Sequence, residues 1–191
     1  LSGDRETAVA QVAAALDNAR LMRAASIRAR DLEAVNVVAR RMLEAAQEGP
    51  QAVLRAACAA MRAGLHTRSV SALWRAGDDA DELARVALGA EEHGGPVAAR
   101  VVVADALCVR EVLRGLDVVT VGDSAADPRA AGLVEESAAG QALLLVPLVA
   151  RGEARGILVL ADDPTRRFQD DEVALARALA VAMSDGLDAA D

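Results

Sequence analysis

The chain has no lysine, no tyrosine, one phenylalanine, one tryptophan and two cysteines in 191 residues. With Phe168 and Trp74 as its only aromatic side chains, the core has to be assembled from Ala, Val and Leu. Every basic residue is arginine, a bias that, with the abundant alanine, speaks of a high-GC source and not of function. Basic charge is also in deficit. Twenty-nine acids against twenty-one bases leave a net charge of −8, which argues against a nucleic-acid-binding surface. The pairs Arg28/Arg30, Arg40/Arg41 and Arg166/Arg167 all sit among carboxylates. Cys58 and Cys108 lie in Ala-rich, helical surroundings without metal-like spacing, so two free thiols in a reducing, cytoplasmic compartment are expected. No apolar run reaches the ~18 residues of a membrane helix, and no membrane partner is expected. No secretory leader is visible, and the sequence reads as an excerpt of a longer chain.

What the chain has in quantity is helix former. Thr7 to Ala46 contains neither Gly nor Pro and is dense in Ala, Leu, Arg, Glu and Met. Val9, Val12, Leu16 and Ala19 follow one apolar three–four spacing. Leu21, Ala25, Leu32, Val35, Ala39, Met42 and Ala46 follow a second, out of phase with the first, so a break or stutter is expected near Asp17–Arg23. A helix of about forty residues cannot bury such a seam on one small domain. A second copy of the chain is the expected partner, giving a homodimer along Val9, Val12, Leu16, Leu21, Leu32, Val35 and Met42. The alternative is two shorter helices folded into a monomer. Val9–Ala19 also resembles Ala180–Ala190, as though the chain began with the helix with which it ends.

Pro50 opens a second helix, with Gly64 as its expected cap. Ser69–Arg75 alternates as a strand, with Val70, Ala72 and Trp74 on one face, and Glu82–Leu88 returns from a Gly77-Asp78-Asp79 turn. A short strand at Arg100–Val103, a helix at Asp105–Arg114 closed by Gly115 and a strand at Asp117–Val121 follow. Gly122–Gln141, polar, Ala/Gly-rich and holding Asp127-Pro128-Arg129, reads as loop with a helical turn. Ala142–Ala150 is apolar throughout, which requires cover on both faces. Arg151–Arg155 makes a turn, Ile157–Ala161 is the return strand, and Asp171–Leu187 is a final helix with acids at its start. This order predicts an α+β fold: an antiparallel sheet of about six strands with helices mainly on one face and a long N-terminal helix.

Several of these pieces, in this order, resemble the GAF domains of signalling proteins. They are LLLVPLVARGEARGILVLADD, Arg167-Phe168 followed by Asp171-Glu172 and an Ala/Leu helix, and LRGLDVVTVGDSAADPR from Leu113 to Arg129. Leu16-Asp17-Asn18-Ala19-Arg20 looks like the end of a preceding GAF domain. The resemblance divides the chain into a linker or signalling helix at 1–29 and a GAF domain at 30–191. It implies a sensory and dimerising module of a multidomain, actinobacterial protein, whose output would be a histidine kinase, cyclase, phosphatase or transcription regulator. It also implies a pocket between sheet and covering helix, placed at Trp74, Val103, Leu107, Cys108, Ala142 and Leu144, for a small apolar ligand or simply a filled core. A degenerate spacer with no ligand is the alternative.

The cofactors known in that family fit poorly. Plant-type bilin attachment places His directly after the cysteine, and Cys108 is followed by Val109. Haem needs an axial imidazole or thiolate, whereas His66 and His93 read as loop histidines. Cyclic-nucleotide binders carry Asn-Lys-Phe…Asp-Glu; here Arg166-Arg167 replace Asn-Lys, and Phe168 reads as a core plug. Sulfoxide-reductase members use several cysteines, so no enzyme activity is expected. No metal site stands out, the acidic Asp78-Asp79-Asp81-Glu82 being better placed in a solvated turn.

Overall fold

The computed structural model describes residues 17–18, 21–22, 32–75, 81–89, 97–135 and 140–190. Its contacts divide the chain into two units, Leu1–Asn36 and Val37–Asp191. The described residues of the first unit are all helical. Val9, Val12 and Leu16 lie outside the described residues, as do most of the proposed linker 1–29 and of the expected break.

The second unit opens with the end of a helix, α1, which spans 32–46. Helix α2 (Pro50–Leu65) follows, then strands β1 (Ser69–Arg75), β2 (Glu82–Gly89) and β3 (Arg100–Val102). Helix α3 (Leu107–Gly115), strand β4 (Val119–Val121) and a 3-10 turn at Pro128–Ala130 lead to β5 (Ala142–Ala150), β6 (Glu153–Asp162) and α4 (Asp170–Ala190). The six strands form one sheet of order β3-β2-β1-β6-β5-β4, every neighbouring pair antiparallel. The expected α+β architecture is therefore what forms.

The uninterrupted apolar run of β5 has a direct cause: the sheet carries a core on each face. Leu143 and Leu145 join Ile157, Val159 and Ala161 in a buried cluster with Cys108, Val109 and Val112 of α3. The alternate residues Leu144, Val146, Leu148, Leu158 and Leu160 are equally buried but point to the opposite face, since successive strand side chains alternate. That face carries α2 and α4. Leu179 of α4 lies against Gly64 of α2, and Ser184 Oγ accepts the Val149 N–H (3.3 Å) at a bulge between Leu148 and Val149. Pro147, which cannot donate to a ladder, lies beyond the stretch of β5 that pairs with β4.

Several boundaries differ from the sequence expectations. The β5–β6 turn is only Arg151-Gly152, both at positive φ (54° and 77°), the pattern of a type I′ hairpin. Glu153 and Arg155 therefore belong to β6. Neither Gly64 nor Gly115 caps its helix. Each is still helical, and the left-handed caps are His66 (φ 50°) and Leu116 (φ 52°).

Candidate functional site

The six residues expected to line a pocket do not enclose one space. Cys108 is fully buried in the core between α3 and the sheet, and Val103 packs at that core's margin. Leu107 is 41% exposed on α3. Ala142 and Leu144 are buried on the opposite face of the sheet, with the parity of Val146 and Leu148. Trp74 shares that parity in β1, paired with Gly156 of β6. A methyl group at Gly156 would strike the Leu73 carbonyl and the Trp74 ring, so the glycine is what lets the indole lie there. The expected set joined residues of both parities, and period-two alternation sends them to different layers. Where it was expected, between α3 and the sheet, the cluster's own side chains are buried together.

Open recesses lie at the edges of this core. One, of about 330 Å3, is lined by Arg75 at the end of β1, Asp81, Val103 and Ala104, and by Arg110, Leu113 and Arg114 of α3. A second, of about 360 Å3, shares Arg75, Leu113 and Arg114 and reaches Gly152, Glu153 and Ala154 at the hairpin tip. On the helix side, an apolar groove of about 430 Å3 runs between α4 and β5, with Pro147, Val149, Ala180 and Val181 in its lining. Asp117 and Arg177 line this groove and are paired through two contacts, at 2.6 and 3.1 Å. The Arg177 guanidinium, helped by the Val118 N–H, holds the Asp117 carboxyl below its ordinary range.

The two thiols are inert by burial, which pushes Cys58 up to about 12 and Cys108 up to about 11. Among the described residues no group of three or more His, Cys, Asp or Glu could hold a metal ion. His66 is the left-handed cap of α2, and His93 lies outside the described residues.

Phe168 is half-buried, not the expected core plug, and lies under the Arg166 guanidinium at 5.2 Å. Arg166 is the residue that sequence reasoning undervalued. Its Nη atoms contact Asp162 (3.1 Å), Glu172 (2.6 Å) and the Leu65 carbonyl (2.8 Å), tying the ends of β6 and α2 to the start of α4. Glu172 also accepts the Gln169 N–H (2.9 Å), as the N3 residue of a capping box does.

The seam proposed for a second copy is split. Leu21 (68%) and Leu32 (65%) are exposed and Val35 is half-buried, but Met42 is fully buried inside the second unit. An ideal Cβ on Gly186 of α4 would come 2.6 Å from Met42 Cβ and 3.4 Å from Val53. Met42 thus fills a notch in its own domain, because Gly186 lets α1 approach α4 closely. Val37 (47%) and Leu43 (56%) are the large apolar residues that this stretch of α1 leaves outside.

A family model for the GAF domain matches residues 35–188, and the chain belongs to the GAF domain family. Among solved structures the chain is similar to free methionine-R-sulfoxide reductase from Neisseria meningitidis in complex with its substrate. Identity is 18%, coverage is 86% of this chain and 89% of that one, and the TM-score is 0.64. It is also similar to residues 122 to 287 of a methyl-accepting chemotaxis protein, at 18% identity, covering 81% and 95%, with a TM-score of 0.61. A bacteriophytochrome from R. palustris is matched at 13% identity over 82% of this chain and 37% of that one, with a TM-score of 0.62. At these identities the likeness is one of fold. No curated protein matches the chain. Among the described residues no helix is long and apolar enough to cross a membrane.

Proposed function

We propose that this chain is a regulatory module of a signal-transduction protein, reading a small molecule on one face of its sheet and passing its state to an output domain through helices on the other. The output would be a histidine kinase, cyclase, phosphatase or transcription regulator. The observation that carries this reading is the division of the sheet into two layers. The α3 layer holds the Arg-lined recess, the opposite layer joins α1 to α4 at Met42 and Gly186, and β1, β5 and β6 serve both. Membership of the GAF family and the fold shared with a chemotaxis protein and a bacteriophytochrome support it. No catalytic role is proposed: both thiols are buried and protonated, which suits packing and not turnover.

Dimerisation through the N-terminal helix belongs to the same reading. The exposed Leu21, Met22, Leu32 and Leu43 are its support. Light scattering at tens of micromolar should give a dimer, and Leu32→Asp should shift it toward monomer; a monomeric parent chain would sink this part. A second reading, a spacer that senses nothing, is favoured by the filled core between α3 and the sheet. Native mass spectrometry of the protein purified from its own host separates the two: a bound small molecule supports sensing, and a clean apo mass supports the spacer.

A further inference from the structure

Arg75, Arg110 and Arg114 converge on one recess of this acidic chain. Elsewhere in the described structure, Arg68, Arg100, Arg129, Arg155, Arg166 and Arg177 each pair with a carboxylate. Arg85 and Arg167 reach backbone carbonyls. The three guanidiniums at the recess do neither with any described residue. That is equally true of Arg40 and Arg41 of α1 and of Arg55 and Arg62 of α2, and what distinguishes the three is that they line one space. Arg75 and Arg110 are half-buried, and the Nε of Arg75 is shut off from water without a hydrogen-bond partner. A buried donor left unpaired is destabilising. Like charges one helical turn apart, as Arg110 and Arg114 are, repel one another.

Helix capping accounts for only one of them. Arg114 stands in the last turn of α3, where a cation suits the dipole. Arg110 is a turn earlier, and Arg75 comes from a different element. Asp81 is the one carboxylate among the described lining residues, against three cations. Val103, Ala104 and Leu113 supply an apolar wall, and a volume of about 330 Å3 lies within the range of small-molecule sites. Guanidiniums are suited to carboxylates and phosphates because their forked N–H groups match two oxygens at once.

We propose that Arg75, Arg110 and Arg114 form the binding site for a small organic anion, a carboxylate or a phosphate with a short apolar body. This rests on the sensing reading above and names the ligand class of that recess. The anion would pair with the guanidiniums that line the recess and cancel the repulsion within the cluster.

The test is a thermal-shift and calorimetric titration of the 191-residue chain with inorganic phosphate and, separately, succinate, each against sodium chloride of matched ionic strength. At least one probe should give a saturable rise in Tm that the chloride control does not, because a ligand that binds only the folded state stabilises it. Preference for phosphate identifies a phosphoryl ligand, and preference for succinate a carboxylate. Arg75→Gln, Arg110→Gln and Arg114→Gln should each weaken binding about tenfold or more, the loss of one charge-assisted contact. Arg55→Gln, on the exposed face of α2, should leave it unchanged. Without ligand, Arg75→Gln and Arg110→Gln should be as stable as the parent or more so, because each relieves repulsion without removing a cation from the last turn of α3. No saturable shift with either probe, or equal binding by the three variants, overturns the proposal. If the host-purified protein instead carries a neutral compound, the anion site falls while the sensing reading stands. If it carries nothing and neither anion binds, both fall.

Discussion

Replacing Gly186 by alanine sets two effects of opposite sign against each other. In a helix interior alanine is favoured over glycine by about 1 kcal/mol, so on propensity alone Gly186→Ala should stabilise α4. The structure reverses the sign. The added Cβ would stand 2.6 Å from Met42 Cβ and 3.5 Å from the Met42 carbonyl carbon, where ordinary contact begins near 3.4 Å. The first of these atoms is fixed to the α1 backbone, so no rotamer change relieves it, and α1 has to move by roughly 1 Å from a packed surface. Overpacking of this kind costs about 1–3 kcal/mol. The expected net effect is a loss of about 1 kcal/mol, or a fall in Tm of about 2–4 °C for a domain of this size. Urea denaturation with an unchanged m-value is the assay. Gly64→Ala is the internal control. Its Cβ would meet only the Leu179 Cδ1, at 3.6 Å, so it should gain up to about 1 kcal/mol. If Gly186→Ala gains as much as Gly64→Ala, α1 does not pack on α4 through Met42 and the assignment of that helix face is wrong.

Four further outcomes follow from the same structure. Ser71 is fully buried on the α3 face with its hydroxyl unpartnered, so Ser71→Ala should stabilise by about 1 kcal/mol in urea denaturation; a loss would mean that the hydroxyl has a partner. His66→Gly should stabilise by about 1 kcal/mol, since glycine adopts the left-handed cap freely and the carbonyl that accepts from Arg166 is kept. Neither Cys58 nor Cys108 should react with a thiol reagent at pH 8 until the protein is unfolded; fast labelling of either would refute its burial. The Arg129 side chain and N–H hold the Asp127 carboxyl below its ordinary range, so this pair contributes fully above that range and is lost as pH falls through the folded-state pKa. Asp127→Asn should therefore cost up to about 1 kcal/mol at pH 7, the pair being partly exposed, and change little once the pH is below the folded-state pKa, so that the acid side of the stability curve flattens.

The sheet was legible because its two-sided core forces apolar residues at both parities of β5, a pattern that neither a solvated strand nor a short loop produces. The hairpin tip was obscured by Glu153 and Arg155, which read as turn residues although they stand in β6 beyond the packed layers. The helix caps were misplaced for a local reason. Gly64 and Gly115 stand two residues and one residue before the position that turns left-handed, and sequence rules put the glycine itself there. Met42 shows a deeper limit. An apolar seam has the same spacing whether it meets a partner chain or another helix of its own domain, and Gly186 reads as a weak point in α4 instead of the notch that receives it. The recess was illegible for a similar reason. Arg110 and Arg114 look like the solvated face of α3, Arg75 looks like the end of a strand, and only the fold places them around one space.

That recess and the helical face are joined by a short piece of chain. Helix α3 carries Arg110 and Arg114 to the recess and ends at Gly115; two residues later Asp117 pairs with Arg177 of α4. A displacement of α3 by a ligand at its arginines would therefore act on α4 through a single ion pair. Both partners of that pair are more than half exposed, so it is worth about 1 kcal/mol at most despite its two contacts. Weakness here is compatible with signalling. A ligand shifts an equilibrium only by the difference in its affinity for the two states, and a small anion has few kcal/mol to offer. A strong latch between α3 and α4 would hold one state whatever the recess contained, whereas a latch of about 1 kcal/mol lies within reach of two or three charge-assisted hydrogen bonds. The rigid two-sided core gives the sheet its shape, and the exposed link at Asp117 is where that shape leaves room for change.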